Sequence, residues 1–84
     1  MVRLIVERTF EQPLGDDDLA GTMKRLGPCL DTHGVRWVRS HLSSSRTRMI
    51  CEYEAADAEA VRLANREAGV GFDDVWVAHE LLPS

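Results

Sequence analysis

The stretch Val35-Arg36-Trp37-Val38-Arg39-Ser40-His41-Leu42-Ser43-Ser44-Ser45-Arg46-Thr47-Arg48-Met49-Ile50-Cys51-Glu52-Tyr53-Glu54 decides the fold. Val35 to Leu42 and Thr47 to Glu54 are two short runs rich in β-branched and aromatic residues, which suit a pleated sheet. Ser43-Ser44-Ser45-Arg46 between them is a short polar connection suited to a hairpin. The spacing predicts two antiparallel strands.

Working outward, Val2, Leu4, Val6 and Phe10 alternate with Arg3, Glu7 and Thr9, which is the period of a strand. Glu11 to Gly15 then breaks that period with Pro13 and Gly15. Asp16-Asp17-Asp18 supplies the N-cap and first-turn carboxylates of a helix, where the dipole favours negative charge. Leu19, Met23, Leu26 and Leu30 form one apolar stripe at helical spacing, running to about His33, and Gly34 is a suitable left-handed stop. Pro28 inside this helix removes one backbone hydrogen bond and predicts a bend near Gly27. Downstream of the hairpin, Asp57 caps a second helix whose inward stripe is Val61, Ala64, Asn65 and Ala68, ended by Gly69. Asp73 to Leu82 is expected to be the last strand, with Val75, Val77 and Leu81 on one face and Trp76, Ala78 and Leu82 on the other.

The resulting β-α-β-β-α-β order is the α+β, ferredoxin-like plan, with a four-stranded antiparallel sheet and both helices on one face. At 84 residues, it is expected to be one domain spanning 1–84. A chain this short buries only roughly 60% of its unfolded surface. The uncovered sheet face would carry Ile5 and apolar groups of the last strand, so a homodimer through the sheet is expected.

Fourteen carboxylates against ten basic residues give a net charge of −4, which opposes attraction to a phosphate backbone or an anionic membrane. Neither nucleic acid nor a membrane is an expected partner. The basic residues, nine arginines and Lys24, are scattered without a basic run and read as solvated faces and ion-pair partners. No long apolar run exists, and the N-terminus is charged where a signal peptide needs an apolar segment, so a cytoplasmic location is expected. Cys29 and Cys51 form neither a C-x-x-C pair nor a disulfide framework and are expected to be reduced, mostly buried thiols.

No G-x-G-x-x-G, P-loop, H-E-x-x-H or nucleophile elbow occurs. What remains for chemistry is imidazole and carboxylate: Asp31 with His33 at the end of the first helix, His41 in the second strand, and His79 with Glu80 near the C-terminus. Neutral imidazole suits nickel, copper and zinc, with carboxylate and water completing the shell. Asp31 and His33 can converge on one ion, whereas His79 and Glu80, adjacent on a strand, point to opposite faces. The competing reading is that His33 stabilises a helix C-terminus, that His41 and His79 are surface or interface residues, and that Asp16 to Asp18 mark a helix start before they mark a hard-cation site. Trp37, Tyr53 and Trp76 fit core and interface packing; alternatively they line a small-molecule pocket with Glu52 or Glu54 as acid or base.

The segments Ile5-Val6-Glu7-Arg8-Thr9-Phe10, Arg25-Leu26-Gly27-Pro28-Cys29-Leu30, His33-Gly34-Val35-Arg36-Trp37-Val38, Met49-Ile50-Cys51-Glu52-Tyr53-Glu54-Ala55 and Asp57-Ala58-Glu59-Ala60-Val61 resemble a family of small bacterial proteins classed as a domain of unknown function. Its characterised branch is nickel-responsive and nickel-binding. The resemblance implies a ferredoxin-like homodimer that holds a nickel ion at its surface and sequesters excess metal; zinc, copper and cobalt suit the same donors. The candidate ligands His33, His41, His79, Asp31 and Glu80 rest on side-chain chemistry. Two rivals stand beside this reading. One is an enzyme of the dimeric α/β-barrel kind with Trp37, Tyr53 and Glu52 around a small organic substrate, and the other is a metal-independent regulatory or partner-binding module.

Overall fold

A computed structural model describes residues 1–83. The chain forms β1 (Val2–Thr9), α1 (Asp16–Thr32), β2 (Arg36–Leu42), β3 (Arg48–Ala55), α2 (Ala58–Ala68) and β4 (Asp74–Ala78). The sheet runs β2-β3-β1-β4, and every pairing is antiparallel. This is the ferredoxin-like βαββαβ arrangement that the sequence predicts.

The central pair is β1 with β3, in register from Val2 opposite Ala55 to Thr9 opposite Arg48. Alternation then sorts the side chains. Leu4, Val6, Met49, Cys51, Tyr53 and Ala55 turn toward the helices and are buried. They meet Leu26 and Leu30 of α1 and Val61 and Ala64 of α2. The small residues of α2 let that helix approach the sheet closely. Leu19, expected in the α1 stripe, packs partly buried at the core margin. Between Trp37 and Arg39 the β2 register shifts by a bulge. That shift puts both Trp37, opposite Tyr53, and Ser40, opposite Cys51, on the helix side.

Two boundaries and the character of one face differ from the sequence expectation. The N-cap of α1 is Gly15. Asp16 to Asp18 form its first turn, and Asp18 reaches back to accept from the Gly15 N–H at 3.1 Å. The last strand ends at Ala78, paired with Arg3 of β1, so Leu81 and Leu82 lie beyond it, exposed. The uncovered sheet face is less apolar than expected: Ile5, Ile50 and Trp76 share it with a lattice of ion pairs. Gly34 at the end of α1 and Gly69 at the end of α2 do take positive φ, 64° and 69°, as the stop signals require. Cys51 is buried, Cys29 is half-buried, and both are free thiols. No helix among the described residues is long and apolar enough to cross a membrane.

Asp57 caps α2 by accepting from the Ala60 N–H at 2.9 Å. Removing such a cap costs about 1 kcal/mol, and in a domain of this size each 1 kcal/mol moves the thermal midpoint by about 4–8 °C. Asp57→Ala is therefore expected to lower the melting temperature by that amount, read by circular dichroism, while Asp57→Ser largely restores it.

Candidate functional site

The structure places the five predicted ligands in three separate regions. His33 caps the C-terminus of α1, and its Nε2 lies 3.0 Å from a Glu67 oxygen in the last turn of α2. The contact is off the hydrogen-bonding direction, so this nitrogen is buried without a hydrogen-bond partner among the described residues. Asp31 is exposed, and the pair expected to converge, Asp31 with His33, is replaced by His33 with Glu67. His79 and Glu80 follow β4 in exposed, irregular chain. Since β4 has already ended, the strand argument that separated them does not apply. No group of three or more His, Cys, Asp or Glu side chains positioned to hold a metal occurs among the described residues.

His41 stands on the open face of the sheet, its side chain two-thirds exposed at 66%. Its Nε2 is 3.1 Å from a Glu52 oxygen. Glu52 is the hub of that face, with Arg3 at 3.0 Å and Arg39 at 3.7 Å. Arg3 also approaches Glu54 at 3.9 Å, and Arg36 pairs with the same carboxylate. Partial burial by itself would push the Glu52 carboxyl up; the His41 hydrogen bond, Arg39 and Arg3 outweigh it and hold the group below its ordinary value. One row along, His41, Glu7, Asp73 and Asp74 border a shallow depression of about 480 Å³. Glu7 accepts from the Trp76 indole N–H there at 2.8 Å.

A second cavity, of about 610 Å³, lies on the helix side of the sheet, between it, α1 and the loop that follows α2. Its walls are mainly apolar, with Phe10, Leu26, Trp37, Met49 and Phe72 among them. The chain between β1 and α1 closes over it through Phe10 N–H to Thr47 O and Leu14 N–H to Arg46 O, both 2.8 Å. Arg46 in turn pairs with Asp16 at 2.7 Å, which pins the hairpin loop to the start of α1. Tyr53 and Trp37 border this cavity, as the enzyme rival requires. Glu52 does not, because it alternates to the opposite face, and the carboxylate that does border it is Asp73.

The cavity residue that sequence reading misses is Arg8. It is 4% exposed, donates to the Gly71 carbonyl at 2.8 Å and to the Tyr53 hydroxyl at 3.2 Å, and faces the cavity. Burial, with Cys51 alongside, outweighs the effect of Arg8 on Tyr53 and pushes the phenol up to about 12. Tyr53 is therefore a neutral hydroxyl across the physiological range.

The profile of the family described as "Nickel responsive protein SCO4226-like" matches residues 4–77. The chain belongs to this family. Among solved structures it is similar to SCO4226 from Streptomyces coelicolor A3(2), at 18% identity, with 98% of each chain covered and a TM-score of 0.78. That likeness shows the shared fold. No protein of curated function matches the chain.

Because the folded-state value of Glu52 is lowered, its contribution to stability is complete above its ordinary value of 4.5 and is lost as the pH falls through the lower folded value. Glu52→Gln is expected to lower the urea midpoint at pH 7, and the gap to the wild type should narrow as the pH falls below 4.5, followed by tryptophan fluorescence. A gap that stays constant down to pH 2 would contradict the role of Glu52 as hub.

Proposed function

We propose that this protein binds nickel at surface imidazole–carboxylate pairs and serves in the cytoplasmic sequestration of excess metal. The observation that carries the reading is the His41–Glu52 pair in a chain of a nickel-responsive family. In an octahedral shell with bonds of about 2.1 Å, neighbouring donors lie about 3 Å apart, and Nε2 to Oε2 is 3.1 Å. His41 is accessible, and Glu7, Asp73 and Asp74 beside it offset the repulsion that Arg39 and Arg48 exert on a dication. His33 with Glu67, 3.0 Å apart, is the second pair; the negative end of the α1 dipole favours a cation there. Glu67 is half exposed, so its side chain can swing to admit an ion.

A single chain brings two donors together at each point, so water or a second copy of the chain completes the shell. A homodimer through the open face supplies that copy, with Ile5, Ile50 and Trp76 as its apolar footing. Two-donor sites bind more weakly than closed cages, which suits a store that must release its cargo. His79, Glu80 and Asp31 remain accessible as supplementary donors.

Calorimetric titration of metal-free protein tests the reading. Nickel binding is expected to weaken as the pH drops through the histidine range near about 6.5, because the imidazole must be neutral to bind. His41→Ala and Glu52→Gln should each remove or weaken one class of site, and copper should bind the same donors more tightly than nickel. A triple His33→Ala, His41→Ala, His79→Ala variant that binds nickel like the wild type would overturn the assignment.

A further inference from the structure

Arg8 carries a charge that the fold leaves uncompensated. A buried guanidinium is ordinarily matched by a carboxylate, because stripping a cation of water without an opposing charge is costly. Here both hydrogen bonds from Arg8 go to neutral oxygens, the Gly71 carbonyl and the Tyr53 hydroxyl. Among the described residues no carboxylate forms an ion pair with it, although nine other close pairs occur. Its guanidinium fork retains N–H donors beyond those two contacts.

The surroundings define what would match it. The 610 Å³ cavity is within the range of small-molecule sites. Arg8 and Arg25 border it against the one carboxylate of Asp73, so the lining is net positive in a chain of net charge −4. Asp73 is itself occupied, accepting from the Thr9 hydroxyl at 2.6 Å, and is exposed. Tyr53 accepts from Arg8 and stays protonated, so its own O–H, which has the Cys51 thiol beside it, is able to turn to a stronger anionic acceptor. The rest of the wall is aromatic and aliphatic. A guanidinium beside a neutral phenol is a fork for a planar monoanion, and the apolar wall takes an apolar body.

We propose that the cavity between the sheet and the helices binds a hydrophobic monocarboxylate, its carboxylate held by the Arg8 guanidinium and the Tyr53 hydroxyl and its body packed against Phe10, Trp37 and Phe72. The site uses none of the imidazoles, and although Arg8 and Asp73 also border the depression beside His41, its test with organic acids in metal-free protein fails or succeeds separately from nickel binding. Arg8 has a structural part as well, tying β1 to the loop after α2 through Gly71. That role alone requires no free donors and no cavity.

The test compares octanoate, octanamide, octanol and octyl phosphate on the full chain, read by calorimetry and, in a Trp76→Phe background, by the fluorescence of Trp37. Octanoate is expected to bind at least about tenfold more tightly than the neutral amide and alcohol, and octyl phosphate, with its larger, more highly charged head, more weakly than octanoate. Tyr53→Phe should reduce octanoate affinity several-fold and leave octanamide nearly unchanged. Arg8→Met, where circular dichroism shows it folded, should abolish the preference for the charged ligand. Equal binding of octanoate and octanamide by the wild type, absence of octanoate binding up to millimolar concentration, or tighter binding of octyl phosphate would each overturn the proposal. The wild-type comparison decides it even if Arg8→Met fails to fold.

Discussion

The register of β1 against β3 is the constraint on which the rest of the molecule depends. Val6 lies opposite Cys51 and Ile5 opposite Glu52, and because side chains alternate with a period of two, these pairings assign every central residue to a face. A slip of one residue would carry Glu52 and Glu54 into the core and expel Cys51 and Tyr53 to solvent. The cost of burying two carboxylates excludes that alternative. Hydrophobic patterning and the ion pairs of the open face therefore enforce the same register, which is how a small domain acquires a single structure.

The same alternation has one expensive consequence. With Leu4 and Val6 inside, Arg8 must also turn inward. A leucine or methionine there would remove a desolvated charge and line the cavity with apolar surface, and such replacements of buried charge are often neutral or stabilising. Eighty-four residues leave little surplus stability to set against the cost. The cavity and the charge occur together, and each would be destabilising alone. A bound anion with an apolar body offsets both.

Much of this architecture is legible in the sequence because its signals are local. The serine-rich turn, the Asp57 cap, and the Gly34 and Gly69 stops mark element ends through chemistry confined to a few residues. The last strand is overread, since Leu81 and Leu82 continue the apolar pattern, whereas pairing with β1 ends at Ala78 opposite Arg3. Arg8 was legible in principle: it falls at the even spacing of Val2, Leu4, Val6 and Phe10. A charged residue in an apolar row reads as an exception until the sheet places it beside Tyr53 and Gly71. The imidazoles are harder to read for the converse reason. Their residue type advertises metal chemistry, but convergence depends on tertiary geometry, and the partners they acquire, Glu52 from the neighbouring strand and Glu67 from the other helix, lie 11 and 34 positions away in sequence.

Strand β3 is where the two halves of the molecule meet. Glu52 faces outward to Arg3, Arg39 and His41, and Tyr53, the next residue, faces inward to Arg8. Glu52 of the proposed metal pair and Tyr53 of the proposed anion site are thus adjacent along the backbone yet on opposite faces of the sheet, while Arg8 and Asp73 border both the cavity and the depression beside His41. Proximity of this kind does not by itself couple two sites, because coupling needs an element with two arrangements that both ligands bias. A central strand paired on both sides, to β1 and to β2, is a poor candidate for such an element. The segment from Phe10 to Gly15 is a better one: backbone hydrogen bonds at Phe10 and Leu14 hold it to the hairpin loop, and Arg46 joins that loop to Asp16 at the surface. It borders the cavity without touching the His41 pair. A shift of this segment would open the cavity toward Arg8 while leaving the Arg3, Arg39 and His41 contacts of Glu52 in place, so the element best placed to admit an anion lies apart from the Glu52 hub.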